Sequence, residues 1–336
     1  MLEIKQKIRN ILIKIGLISP RLSTLYYFLF SNRFDNVHYA ILSGIHENRL
    51  NTNNIGNFRR SIHRIEKGLI TTPSKPFFAE GYIKETIESY GAMIINPNDE
   101  NLILWASNVL QDYFDKVEHT NIIKSAFNHF NLLGKYEINE KAKPYKAQNK
   151  ICSISYDDYL DLNKYRRSIR YYTNKVVPRE LIEKAVKAAL YAPSACNRQP
   201  FSFFIIEGNK NIHGCDYTPD GAQSFSKNIH TMIYVIGDYS YYFHERDKNV
   251  IFVDGGLVVM NLVLALETLG VSSCICNWGD LKDKNNNLSK KLSLKPYQSC
   301  ITTLSIGYAL ENSGIASSIK KTVDSVVKYH SELPIK

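Results

Sequence analysis

Between residues 82 and 117 the apolar positions recur three and four apart. YIKETIESYGAMI and ENLILWASNVLQDYFDKV each gather them into one stripe, which predicts two amphipathic helices. NPND, at 96–99, separates them as a turn that opens the second helix. Residues 1 to about 135 read as mostly helical throughout. From about residue 154 the pattern changes. Pro178 is expected at the first helical position of PRELIEKAVKAALYA, with Ile182, Val186 and Leu190 on its inner face. FSFFIIEG, TMIYVIGD, VSSCIC and ITTLSIGY are short apolar runs bounded by turn residues, as buried strands are. DGGLVVMNLVLALETLG is apolar almost all round and ends at Gly270, so it reads as a helix covered on every side. In a domain this small, that cover points to a subunit interface.

Helices followed by alternating helices and strands predict an α+β chain with a mostly α-helical N-terminal region. A length of 336 residues allows two domains. The lysine-rich stretch 135–150, KYEINEKAKPYKAQNK, is the best linker. The expected division is therefore 1–150 and 151–336. The sequence shows neither an internal repeat nor a low-complexity tract.

Lysine and arginine outnumber aspartate and glutamate 42 to 32, a net charge of +10. That balance suits a partner carrying phosphate, or simply a basic soluble protein. The basic residues are not interleaved with aromatics along one element, which argues against nucleic acid. Six cysteines form no C-x-x-C pair and several sit in apolar runs, so they read as reduced thiols in a cytoplasmic protein. No His/Cys cluster has zinc-ligand spacing, so no metal is expected. Residues 1–18 do not form a convincing signal peptide. Leu2, Ile4, Ile8, Ile11, Leu12 and Ile15 make a stripe with lysines and Arg9 between them. Such a stripe docks on the rest of a protein more often than on an anionic membrane. G-x-G-x-x-G after the first strand and the Walker A pattern are both absent, which disfavours a Rossmann-type or P-loop site.

Two stretches carry candidate chemistry. YRRSIR places Arg166, Arg167, Ser168 and Arg170 within five residues. Forked guanidinium donors around a hydroxyl suit a phosphate, although a solvated basic turn would look the same. APSACNRQP, residues 192–200, supplies Ser194, Asn197, Arg198 and Gln199 between Pro193 and Pro200. Its amides carry donor and acceptor on one plane, as the edge of a heterocycle requires. It could equally be an ordinary connection rich in turn formers.

Taken in order, these stretches resemble the nitroreductase family of flavoproteins. The pattern R-R-S-x-R, helix, A-P-S-x-x-N-x-Q-P, strand, Asp-led helix ending L-G, small-residue strand is matched by Arg166–Arg170, Ala192–Pro200, Asp254, Leu269-Gly270 and VSSCICNW. LSIGY and Lys320-Lys321 follow. The resemblance spans about 160–330. It implies a nitroreductase-like fold, a central mixed sheet flanked by helices, and a homodimer with FMN at its interface. It implies that Arg166, Arg167 and Ser168, aided by Lys320 or Lys321, hold the phosphate and ribityl end, with Arg170 near flavin N1. Pro193, Ser194, Asn197 and Gln199 would reach the flavin of the other subunit. The backbone at Cys276 and Asn277 would face N5. NADH or NADPH would reduce the flavin, which would pass electrons to an organic acceptor, so no catalytic acid or base is required.

Trp278 and Arg198 are candidate substrate contacts; Trp278 could equally be packing. Cys274 and Cys276 alternate on one strand, as buried thiols or a redox pair. The segment His63–Gly68 resembles, faintly, extensions of nitroreductase-like proteins from surface-polysaccharide gene clusters. Arg64 and Lys67 would then recognise an anionic substrate beside the active site. The readings to be separated are an FMN-dependent oxidoreductase, a dehydrogenase or other flavin enzyme with a dedicated substrate, and a non-catalytic scaffold of the same fold.

Overall fold

The structure, a computed structural model, describes residues 2–330 apart from 32, 52, 96, 98, 135, 138 and 148–150, with side chains from residue 7 onward. The first half is helical: α1 (Leu2–Gly16), α2 (Pro20–Phe30), α3 (Asp35–Leu50), α4 (Ile55–Leu69), α5 (Ile83–Ile95), α6 (Glu100–Lys116) and α7 (Asn121–Leu133). The two helices read from periodicity are α5 and α6. Asp99 caps α6 by accepting the Leu102 amide at 3.2 Å, which satisfies one orphan donor of the first turn. Of the NPND turn, Asn96 and Asn98 lie outside the described residues.

Helices α4 to α7 enclose a core of their own. Phe58, Ile62 and Ile65 from α4 meet Ile87 and Tyr90 from α5, Ile103, Leu110 and Tyr113 from α6, and Phe130 from α7. By contrast α3 buries Ala40, Ile41 and Ile45 against Tyr239, Tyr242 and Ile251 of the second half. Two glycines permit that approach. A Cβ on Gly44 would lie 2.6 Å from the carbonyl carbon of Tyr239, and one on Gly56 2.7 Å from Cα of Tyr241. Between these contacts Asn48 and Asn54 both donate to the carbonyl oxygen of Ser240, the latter at 3.1 Å. Helices α1 and α2 pack on each other. Ile8, Ile11 and Ile15 of the expected N-terminal stripe are exposed, as are Leu25, Phe28 and Leu29 of α2.

The first part of the expected linker is tied down. Tyr136 N donates to Ser107 Oγ at 3.1 Å and Asn139 N to Asn108 Oδ1 at 2.7 Å, so the chain runs along α6.

The second half contains α8 (Tyr156–Tyr165), α9 (Arg179–Ala189), β1 (Phe201–Glu207), β2 (Thr231–Asp238), α10 (Val250–Thr268), β3 (Ser272–Cys276), α11 (Lys282–Leu292), β4 (Gln298–Gly307) and α12 (Val323–Val326). The four strands order as β1-β2-β4-β3, each neighbouring pair antiparallel. A parallel bridge from Ser168 to Ser273 makes the sheet mixed at its β3 edge. Ile233 and Val235 of β2 face α9 and α10, while Met232, Tyr234 and Ile236 face Phe225, Trp278 and Leu288 of the opposite layer. The architecture is α+β, a sheet held between helical layers and preceded by a helical region.

Two details differ from the expectations, both in α9. Pro178 is the N-cap of α9 rather than its first helical residue. The inner face of α9 runs through Ile182, Ala185 and Ala189 with Val186 packed beside them as expected, while Leu190, the C-cap, is exposed. Among the described residues α10 is the one helix long and apolar enough to cross a bilayer, and its inner face packs on the sheet. Its other face leaves Phe252, Val253, Leu257 and Met260 exposed.

Candidate functional site

The segment 166–170 is extended beside β3. Ile169 N donates to Ser273 O at 3.0 Å, which clamps the strand-like segment to the sheet edge. Ile169 is buried, and in an extended segment its neighbours Ser168 and Arg170 point to the other side of the backbone. Neither Arg166 nor Arg170 has a carboxylate within ion-pair distance among the described residues. Arg167 is committed elsewhere. Its guanidinium donates to the carbonyl oxygens of Ala316, at 2.8 Å, and of Ser317. It thereby ties the C-terminal tail to the motif. Lys320 and Lys321 follow on that tail and are exposed.

Cys274 and Cys276 project from β3 into the core under this segment, 3% and 4% exposed. The Cys276 thiol, with Arg170, Ser168 and Arg166 beside it, pulls the Cys274 thiol down to about 7 against the opposing effect of burial. Donation to Cys274 and burial push Cys276 up. Asn277 is exposed at the end of the strand. Trp278 is 9% exposed, packs edge-on against Tyr234 and donates its indole N–H to Asn285 Oδ1 at 2.7 Å. That is the environment of a core tryptophan with its polar atom satisfied.

The amide-rich loop joins α9 to β1. Cys196, Asn197 and Gln199 all have positive φ, 55°, 52° and 51°, a conformation that side chains other than glycine adopt at some cost. Several contacts hold them there. Both carboxylate oxygens of Asp254, buried on α10, accept the amide hydrogen of Ala195 at 3.1 and 3.2 Å. Ser194 Oγ accepts from Gln199 N at 3.1 Å, and Gln199 Nε2 donates to Asn197 Oδ1 at 2.7 Å. Burial raises the Asp254 pKa, opposed by the Ala195 amide and the Arg198 charge. Pro193 is exposed at the loop's outer end.

The loop and segment 166–170 do not meet within one chain. The loop enters β1 and the segment flanks β3, and these are opposite edges of the sheet. Four strand spacings, the last from β3 to the segment itself, separate them by about 19 Å across the sheet. Along the strands, the Gly237–Ser299 pair next to the loop lies seven residues of β4 from the Ser273–Ile306 pair, about 24 Å. The two motifs stand at diagonal corners, farther apart than a three-ring heterocycle extends.

The N-terminal helices supply what the motif reading missed. Arg59 of α4 donates from Nε to Asn197 O at 2.8 Å and lies over Trp105. Arg60 lies over Phe243, and Arg64 over Tyr82 at 3.9 Å. Of the segment His63–Gly68, only Arg64 joins this group. His63 pairs with Glu66 at 3.1 Å, Glu66 accepts the Trp105 indole N–H at 2.8 Å, and Lys67 is exposed. Helical phase was the available signal: Arg60 and Arg64 are four residues apart on a helix whose Ile62 and Ile65 face its core.

Residues 164–219 and 213–308 match the model of the Nitroreductase family. The chain is 28% identical over 162 residues to the protein of Methanothermobacter thermautotrophicus named "Putative NADH dehydrogenase/NAD(P)H nitroreductase", covering 48% of this chain and 82% of that one. A shorter stretch of 50 residues is 42% identical to iodotyrosine deiodinase 1 of Sus scrofa, 15% of this chain and 17% of that protein. Among solved structures, an FMN-dependent nitroreductase from Clostridium difficile R20291 aligns at 23% identity and a TM-score of 0.43, over 52% of this chain and 99% of that one.

Proposed function

Since its C-terminal half makes this chain a member of the nitroreductase family, we propose that it is an FMN-dependent oxidoreductase that takes reducing equivalents from NADH or NADPH. The observation that carries this reading is the segment Arg166–Arg170, clamped to the edge of β3 with two guanidinium groups free of ion pairs among the described residues. Such groups fit the phosphate of FMN. When bound, FMN supplies the hydride chemistry. The chain's own task is to bind and orient. Arg166 and Ser168 would hold the phosphate and ribityl end. Arg170 would place a fixed positive charge against the pyrimidine edge, which favours the anionic reduced ring. Pro193, Ser194, Asn197 and Gln199 would present their planar amides and turn to the ring edge, and the backbone of Cys276 and Asn277 would line its centre. Arg167 would act by fixing the tail that carries Lys320 and Lys321.

The diagonal separation of the two motifs supports a homodimer in which the loop of one copy serves the flavin held by the other. The exposed apolar face of α10 offers the contact. The six unpaired cysteines fit a reducing cytoplasm. The acceptor is a small organic molecule, which we place among biosynthetic intermediates, those of surface polysaccharides included. The helical roof over the loop supports a dedicated substrate over broad nitro reduction. One absorbance spectrum of the pure protein, before and after NADH or NADPH, tests the reading. A flavin spectrum bleached by the donor is expected, with Arg166→Ala or Ser168→Ala lowering flavin retention. A colourless protein that takes up no added FMN overturns it.

A further inference from the structure

Arginines from two distant parts of the chain gather at the amide-rich loop: Arg198 within it, Arg59 and Arg60 from α4, and Arg64 beside Arg60. Arg198 lies within it, 6% exposed, and its Nε has no hydrogen-bond partner among the described residues. Its other contacts are long: Nη1 to Ala195 O at 3.3 Å and Nη2 to Asp247 at 3.9 Å. A buried guanidinium this poorly matched is uncommon, because an unmet buried donor keeps its full desolvation cost. Arg59, Arg60 and Arg64 approach from α4. Among the described residues neither Arg60 nor Arg64 has a carboxylate within ion-pair distance, and Arg59 reaches only Asp99, at 4.0 Å. Asp99 is already engaged as the cap of α6. Burial, then the charges of Arg64 and Arg198, lower the Arg60 pKa, so the guanidinium groups repel one another as they stand. Four cations thus face three carboxylates, Asp99, Asp247 and Asp254, of which Asp99 caps α6 and Asp254 already accepts the Ala195 amide. Phe243, Tyr82 and Tyr242 lie against Arg60, Arg64 and Arg198 and hold their planes in place.

A cavity of about 220 Å³ opens beside the loop, lined on its polar side by Arg59, Arg198, Gln199, Tyr241 and Asp99 and elsewhere by Ile55, Met93, Leu102 and Ile103; Arg60 and Arg64 add charge from outside that lining. That volume is small for a whole organic ligand and ample for one charged group of it. We propose that this cluster is an oxyanion subsite of the active site, built jointly by α4 and the loop, which takes a phosphate group of the molecule undergoing electron transfer. Its link to turnover rests on the flavin reading above; its binding of phosphate does not. The phosphate could belong to the acceptor or be the 2′-phosphate of NADPH.

The test titrates inorganic pyrophosphate into the full-length protein by calorimetry and compares Arg198→Gln, which removes a guanidinium lining the cavity, with Arg60→Gln/Arg64→Gln, which removes two charges outside it. Salt-sensitive binding weakened tenfold or more in Arg198→Gln and less in the double variant, with secondary structure unchanged in both, is the expected result. No binding, or equal binding by wild type and Arg198→Gln, overturns the proposal. Calorimetry reads the subsite whether or not flavin is present, so a colourless protein that still binds pyrophosphate defeats only the flavin reading. Flavin reduction by NADH and NADPH then separates the sources. A preference for NADPH that Arg198→Gln loses assigns the phosphate to the donor. Equal use of both donors by wild type and Arg198→Gln assigns it to the acceptor.

Discussion

Arg59 Nε donates to the carbonyl oxygen of Asn197 at 2.8 Å, joining residues 138 positions apart. The bond couples the helical region to a loop that is itself in a costly backbone conformation. Removing it with Arg59→Ala should destabilise the fold by about 1–3 kcal/mol, since burial leaves the carbonyl without a replacement donor and the stack on Trp105 is lost. Denaturant unfolding of the two proteins measures this.

Asp254 should show a larger and chemically graded effect. Asp254→Ala orphans the Ala195 amide and leaves Arg198 with less compensation, a loss of about 3 kcal/mol or more. Asp254→Asn keeps an acceptor at the same place, so it should cost less. The pH dependence has a definite sign. Burial raises the folded-state pKa of Asp254, so the folded chain binds this proton more readily than the unfolded chain. The group's contribution therefore becomes less favourable as pH rises from the ordinary carboxylate range through its folded pKa. Acidification through that window should therefore raise the stability of wild type relative to Asp254→Asn, read from unfolding midpoints at several pH values.

The exposed face of α10 is expected to be covered by a second copy. In the proposed dimer, Leu257→Glu or Val253→Glu should give a monomer with flavin content falling in parallel, because each site would draw on both chains. Light scattering with the absorbance spectrum checks both at once. A monomeric variant that keeps its full flavin content would show that one chain suffices.

Beneath the Arg166–Arg170 segment, one of the two β3 thiols should titrate early. Cys274 is pulled down to about 7, first by the Cys276 thiol and then by Arg170. Arg170→Gln should move that titration upward, and Cys276→Ala should move it further, because the hydrogen bond is the larger cause. Thiolate ultraviolet absorbance against pH, in the flavin-free protein, follows it. Both thiols are buried, so alkylation of the folded chain should be slow in every case.

Part of this was present in the chain's local pattern. The periodicity of 82–117 fixes α5 and α6, since amphipathic helices write their buried face into a 3.6-residue repeat. The apolar runs of β1 to β4 and the two loop motifs are likewise local features, and their order along the chain carries the family resemblance. Sequence order does not carry distance. Segment 166–170 and loop 192–200 are separated by a single helix in the sequence, yet strand pairing sends them to diagonal corners of the sheet. Local pattern assigned Arg59 and Arg60 no role. They became partners of the loop because Gly44 and Gly56 let α3 and α4 press against the Tyr239–Tyr241 turn. Trp278 illustrates the converse, a residue chemically suited to a ligand that Tyr234 and Asn285 enclose as core. Local pattern determines which backbone forms and which side chains are apolar, because those depend on near neighbours. Which charges converge is a matter of long-range packing, and that the tertiary structure alone decided.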